Sequence, residues 1–118
     1  IISNMISLEG IDSKMIANNL EPFEPTHPGS ILKEELEFRG ITPSHFAEQT
    51  GIPNSELNDL LNSKCPITTE YAMLIEAALD IEATFWIRMQ ADYDLTMAKR
   101  NKSFMEKLKQ VRKMAAVW

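Results

Sequence analysis

The chain contains one cysteine, two histidines and four glycines in 118 residues. A single thiol, Cys65, excludes an internal disulfide and with it the small secreted domains held by cystines, so a cytosolic residence is expected. His27, His45 and Cys65 do not share the spacing of a metal site. No glycine-rich segment has the pattern of a phosphate-cradling loop. No apolar run approaches the ~20 residues of a membrane span. The opening Ile1-Ile2-Ser3-Asn4 lacks a basic start and a long apolar stretch, and so does not read as a signal peptide. The missing initiator methionine suggests a trimmed N-terminus.

Catalytic constellations are absent from the pattern as well. Glu34 and Glu35 are adjacent on a helix and diverge, which suits a solvated face better than acid–base work. Cys65 precedes Pro66 with no implied base nearby and reads as a loop thiol, not a nucleophile. His27 reads as a helix-start residue with a hydrogen bond. The chain is therefore expected to be a binding protein, not an enzyme, with no cofactor or metal.

Basic residues are scarce in the middle of the chain. From His27 to Asp80 they are only Lys33, Arg39 and Lys64, against Glu34, Glu35, Glu37, Glu48, Glu56, Asp59, Glu70, Glu76 and Asp80. The net charge of −5 argues mildly against a simple nucleic-acid binder, because such binding is largely phosphate neutralisation. From Lys99 onward the balance inverts: Lys99, Arg100, Lys102, Lys107, Lys109, Arg112 and Lys113 face a single Glu106. An acidic middle with a basic tail suggests at least two partner surfaces.

What is present is helical punctuation. Residues 1–25 read as an irregular arm, with Phe23 bracketed by Pro22 and Pro25 and a helical turn between Ser13 and Ala17. Thr26 is a candidate N-cap with Pro28 at a first-turn position that tolerates proline. Ile31, Leu32 and Leu36 form an apolar stripe, with Phe38 a candidate fourth member, and Gly40 closes the helix. Thr42 caps a second helix with Pro43 at its first position and Phe46 and Ala47 inward; Gly51 ends it. A third helix follows Pro53, and Asn62-Ser63-Lys64-Cys65-Pro66 breaks it. Thr68 or Thr69 starts a fourth helix through Leu79. Thr84 caps a fifth, carrying Phe85, Trp86, Met89 and Tyr93. A basic helix from about Ser103 to Met114 ends the chain. No stretch shows convincing period-two alternation, so the fold class is all-α. The expected division is an arm at 1–25, a helical domain at 26–98 and a basic C-terminal helix at 99–118.

The informative segment runs from Thr42 to Asn62. Ala47 is small enough for a close helix crossing. Gly51, four residues on, permits the positive φ that a three- or four-residue reversal needs. Ile52 plugs the core under the turn, and Leu57, Leu60 and Leu61 anchor the third helix. This spacing fits a helix-turn-helix, whose second helix enters the major groove; it also fits a plain helical hairpin within an unrelated bundle. At about 100° per residue, Ser55, Asn58, Asp59 and Asn62 point away from the leucines. Asn54 and Ser55 lie at the helix N-terminus, where base edges are usually reached, and Asn and Ser both have base-pairing chemistry. Asp59 and Glu56 either accept from cytosine N4 or are simply solvated. Lys64, with Thr42 and Ser44 at the second helix start, is placed for phosphate contact.

The run Thr26-His27-Pro28-Gly29, followed by Ile31-Leu32-Lys33-Glu34-Glu35-Leu36, resembles the opening of the HigA-type antitoxins, helix-turn-helix proteins related to phage repressors. Leu57-Asn58-Asp59-Leu60-Leu61-Asn62, Ile75-Glu76-Ala77-Ala78-Leu79 and the segment from Phe85-Trp86-Ile87-Arg88 to Tyr93-Asp94-Leu95 continue the likeness. The resemblance implies a five-helix domain that binds operator DNA as a dimer, and a role in neutralising a HigB-type ribonuclease toxin. The chain departs from the pattern at Ser63 and Cys65, where members usually carry glycine and a basic residue; losing that cation weakens the expected phosphate binding.

On this reading the toxin, expected to be basic because it holds RNA, faces the acids Glu34 and Glu35 with Phe23 as an apolar anchor, unless Phe23 only staples the arm to the protein's own core. Phe85, Trp86, Met89 and Tyr93 form a stripe that packs in the core, forms a homodimer seam, or does both on different sides; the last helix is expected to join that seam. Two alternatives stay open: a helix-turn-helix regulator without a toxin partner, and a protein-interaction module with little DNA affinity. No membrane role is implied.

Overall fold

A computed structural model describes residues 25–117. The expectations for Phe23 and for a turn at Ser13 to Ala17 lie outside them. The described residues form six helices and no strand: α1 (Pro28–Arg39), α2 (Pro43–Thr50), α3 (Asn54–Leu61), α4 (Thr69–Leu79), α5 (Ala83–Lys99) and α6 (Lys102–Ala116). None is long and apolar enough to cross a membrane.

The core is a single cluster contributed by α1 to α5 and the turns between them. Leu32, Leu36, Phe46, Leu57, Leu60, Ile75 and Trp86 are almost completely buried, with Ala47, Ile52, Ile67, Ala72 and Leu79 around them. α5 packs on α4 and reaches back to α1, while α2 and α3 close the other side. α6 meets α5 and buries none of its own residues.

The start of α1 shows why its sequence is so restrictive. The N-cap is His27, not Thr26: its Nδ1 accepts from Gly29 N at 2.8 Å, which satisfies one of the orphan donors of the first turn. The ring is buried and meets Tyr93 of α5 edge-on, with centroids 4.8 Å apart. Pro28 is buried at the first helical position. A Cβ added at Gly29 would stand 1.8 Å from the Leu60 carbonyl oxygen, so this residue has no side chain because α3 passes there. One tripeptide thus joins α1 to both α3 and α5.

Two further expectations are corrected. Phe38 is 87% exposed and does not belong to the core stripe; Gly40, at φ 72, turns the chain away immediately after that last turn. Thr84 does not cap α5, which begins at Ala83 with Glu82 in the capping position. The Ala83 N–H is instead accepted by the Glu76 carboxylate of α4 at 3.2 Å. Thr68 is the cap of α4, accepting from Tyr71 N at 3.1 Å.

Candidate nucleic-acid interface

The reversal between α2 and α3 is fixed by local chemistry. Gly51 adopts φ 81, and its N–H donates to the Ala47 carbonyl at 2.8 Å. Thr50 Oγ1 donates to the Phe46 carbonyl at 2.8 Å and accepts from Ile52 N at 3.3 Å, so one hydroxyl bridges both sides of the turn. Ile52 is buried beneath it. Leu57, Leu60 and Leu61 then bury one face of α3 and leave Ser55, Asn58 and Asp59 exposed on the other, while Asn54 is exposed at the helix start.

At the N-terminal end of this face lies a shallow depression lined by Ser44, Ala47, Glu48, Gly51, Ile52, Pro53 and Asn54. It brings the Ser44 and Asn54 candidates together. It also contains Glu48, an exposed acid that spacing alone did not single out. Thr42 Oγ1 caps α2 by accepting from His45 N at 3.2 Å.

Glu56 is placed differently from the other candidates. Its carboxylate accepts a 2.5 Å hydrogen bond from the Tyr71 hydroxyl of α4. That bond, then burial, then the negative charge of Glu56 push the Tyr71 phenol up to about 12. The acceptor is thereby engaged within the protein and is not presented as a free group for a base edge.

The C-terminal end of α3 leads into the loop that carries Lys64. Ser63 sits at φ 62, in the left-handed region where glycine is the natural occupant. Its N–H donates to the Leu60 carbonyl at 3.0 Å, and Lys64 N donates to the Asp59 carbonyl at 2.8 Å. The Lys64 side chain is exposed. Burial pushes the Cys65 thiol up, and the Asp59 and Glu56 charges add to the effect. A thiol held protonated in this way is a poor nucleophile, in keeping with a loop thiol.

Gln90 is a structural residue that pattern reading missed. It is buried on α5, accepts from Ile67 N at 2.8 Å and donates to Asp94 at 3.0 Å. It thereby holds the loop after α3 against α5, and its only sequence signal was a polar residue on an apolar stripe.

The remaining candidates separate. Glu34 is exposed, whereas Glu35 is half-buried and paired with Arg39 at 2.7 Å. Trp86 is fully buried in the chain's own core, so of its two readings the core one holds and it offers no surface to a dimer seam. Phe85 is 45% exposed and meets Trp86 edge-on, and Met89 and Tyr93 are half-buried. Among the described residues no group of His, Cys, Asp or Glu is arranged to hold a metal ion.

No family model matches the chain. It is 39% identical over 74 residues to virulence-associated protein A of Dichelobacter nodosus, a match covering 61% of this chain and 72% of that protein. It is also similar to the solved structure of an addiction module antidote protein of the HigA family from Coxiella burnetii. That likeness has a TM-score of 0.65 and 32% identity, and covers 72% of this chain and 95% of the other. The chain belongs to the HigA family of antitoxins. A second HigA structure, the Pseudomonas aeruginosa antitoxin with the higBA promoter, matches with a TM-score of 0.61 and 27% identity over 75% of this chain and 91% of that one. In this HigA-family fold the α2–turn–α3 unit is the helix-turn-helix expected from the Ala47, Gly51 and Leu57 spacing.

Proposed function

We propose that this HigA-family chain is a cytoplasmic antitoxin and autorepressor, without enzymatic activity, that binds operator DNA as a homodimer and neutralises a HigB-type ribonuclease toxin. The observation that carries the DNA reading is the two-sidedness of α3. Three leucines are buried on one side, Ser55, Asn58 and Asp59 are exposed on the other, and Asn54 is exposed at the helix start. A helix anchored in this way presents its polar side to a major groove. The solved relative with the higBA promoter supports the same reading. Thr42, Ser44 and Lys64 supply phosphate contacts at the helix ends, while Glu56 acts structurally through Tyr71.

Homodimerisation follows from the small number of base pairs one short helix can read, with half-sites about one helical turn, roughly 34 Å, apart. Phe85, Met89 and Tyr93 remain the candidates for the seam. We assign residues 26–98 to the DNA-binding domain, residues 1–25 to an arm and 99–118 to a basic appendage.

One observation favours a second reading, a protein-interaction module with little DNA affinity: the exposed Glu48 and Asp59 flank the face on which Lys64 is the candidate cation. Co-purification with the product of the neighbouring gene, followed by a mobility shift on their shared promoter, tests both. Toxin capture without promoter retention at moderate salt would favour the module. Promoter retention without capture would leave a regulator with no toxin partner.

A further inference from the structure

Sequence-independent DNA affinity comes from neutralised phosphates. The helix-turn-helix unit supplies little for this: Lys64, in the loop after α3, is its candidate cation, and Glu48 and Asp59 are exposed acids on its two helices. The densest group of cations lies instead on α6, where Lys102, Lys107, Lys109, Arg112 and Lys113 are all exposed and Glu106 is the lone acid. The Lys109–Glu106 pair is loose, at 4.0 Å with both side chains about two-thirds exposed, and holds little of that charge back.

The charges are ordered on the helix. At about 100° per residue, Lys102, Lys109 and Lys113 fall within about 40° of one another, nearly opposite Phe104 and Val111, with Leu108 about 120° and Met105 about 60° from the centre of the stripe. The half-buried residues of α6 are Met105 and Leu108, and the helix meets α5. The lysine stripe, about 16 Å long at helical rise, is left in solvent.

α6 follows α5 directly and contacts it. α5 is tied to the loop after α3 through the Gln90–Ile67 hydrogen bond. Ser63, Lys64, Tyr93 and Asp94 line one depression there. Five residues after Asp94, α5 ends at Lys99, and α6 begins at Lys102. We propose that α6 is a second DNA-contacting element, whose Lys102–Lys109–Lys113 stripe neutralises phosphates flanking the site read by α3. The proposal rests on the operator-binding reading above, and it supplies the positive charge that the recognition face lacks.

The test uses the full chain and the triple variant Lys102→Gln, Lys109→Gln, Lys113→Gln. Glutamine keeps the helix propensity of lysine, and α6 buries no residue, so helicity and melting should not change. Fluorescence anisotropy is read on a duplex of the chain's own promoter and on a random duplex of equal length. The variant should flatten the slope of log affinity against log salt by about 2–3 units per protomer on both duplexes. Its affinity deficit should therefore shrink roughly 40-fold per bound protomer between about 50 and about 200 mM salt. An unchanged slope with the promoter still bound would overturn the proposal. So would an unchanged slope accompanied by loss of binding to vesicles of anionic lipid, which would make α6 a membrane-surface helix. Failure of the unaltered chain to hold its promoter at about 50 mM salt would instead remove the operator reading itself, and the proposal with it.

Discussion

The Tyr71 hydroxyl and the Glu56 carboxylate are joined by a 2.5 Å hydrogen bond that ties α4 to the first turn of the candidate recognition helix. The bond favours the protonated phenol, which is why Tyr71 is pushed up to about 12. Glu56→Gln should return Tyr71 toward the ordinary phenol value of about 10. Absorbance titration of the phenolate reads this directly, with Tyr93→Phe as background so that one tyrosine remains. A Tyr71 that still ionises near 12 in the glutamine variant would place the cause elsewhere.

Ser63 occupies the left-handed region at φ 62 in the loop next to Lys64. A residue with a Cβ is strained there by roughly 1–2 kcal/mol, and glycine is not. Ser63→Gly should therefore raise stability by about 1 kcal/mol, less whatever glycine gains in unfolded-chain entropy. For a domain of this size that is a rise of about 4–8 °C in the melting midpoint. A midpoint that stays put or falls would show that the serine conformation costs nothing.

Local chemistry made much of this fold legible. Gly51, Ile52 and Leu57 are punctuation within a dozen residues, and their outcome is fixed by backbone sterics and helical period. Where a partner came from another helix, the pattern failed. His27 displaced Thr26 as cap because its ring is also held by Tyr93 of α5. Thr84 lost its capping role to Glu76, a residue of the preceding helix. Trp86 looked ambiguous between core and seam, and only the packing of α5 on α4 and α1 buries it. Glu56 resembled its exposed neighbours until Tyr71 was seen to engage it. The polar side of α3 followed from the leucines alone, whereas the acid it shares a depression with, Glu48, comes from the other helix of the turn.

His27 makes stability depend on pH. Its Nδ1 accepts from Gly29 N, so the folded state has no place for a proton on that nitrogen. Burial lowers its pKa, outweighing the Asp94 charge and the Cys65 carbonyl, which raise it. Between that lowered value and about 6.5 the unfolded chain binds more protons than the folded one. The stability contribution is therefore complete above about pH 6.5 and is lost as pH falls through the lowered value. His27→Asn keeps an N-cap acceptor without a titrating ring. Urea midpoints measured from pH 8 down to about 5 should fall more steeply in the unaltered chain than in this variant. Equal slopes would exclude His27 as the origin.

On DNA, base-reading and phosphate-contacting residues should separate by specificity. Asn54 and Ser55 are exposed at the start of α3 beside the α2–α3 depression. Asn54→Ala or Ser55→Ala should weaken promoter binding by ~1–3 kcal/mol while leaving random DNA nearly unaffected. Lys64→Ala should weaken both alike and flatten the salt slope by about one unit. Glu48→Gln should do the reverse, strengthening both. Anisotropy on paired promoter and random duplexes measures all of these. An equal loss on both duplexes for Asn54→Ala would show that it does not read sequence.

The proposed toxin contact can be tested on α1. Glu34 and Glu35 are adjacent acids, but they are not equivalent. Glu35 is held by Arg39, so neutralising it also releases a cation and blurs the result. Glu34 is exposed and lines a depression with Pro25, Ser30 and Ile31, immediately beyond the arm that carries Phe23. Rim charges facing a basic partner mainly set the rate of encounter, while a buried aromatic anchor mainly sets dissociation. Glu34→Gln should therefore slow association with purified toxin and reduce its salt sensitivity, with little change in release. Phe23→Ala should do the opposite and speed release. Surface-binding kinetics at two salt concentrations resolve the two effects. If both variants bind at unaltered rates, and deletion of residues 1–24 is also silent, the toxin does not sit on this face of α1.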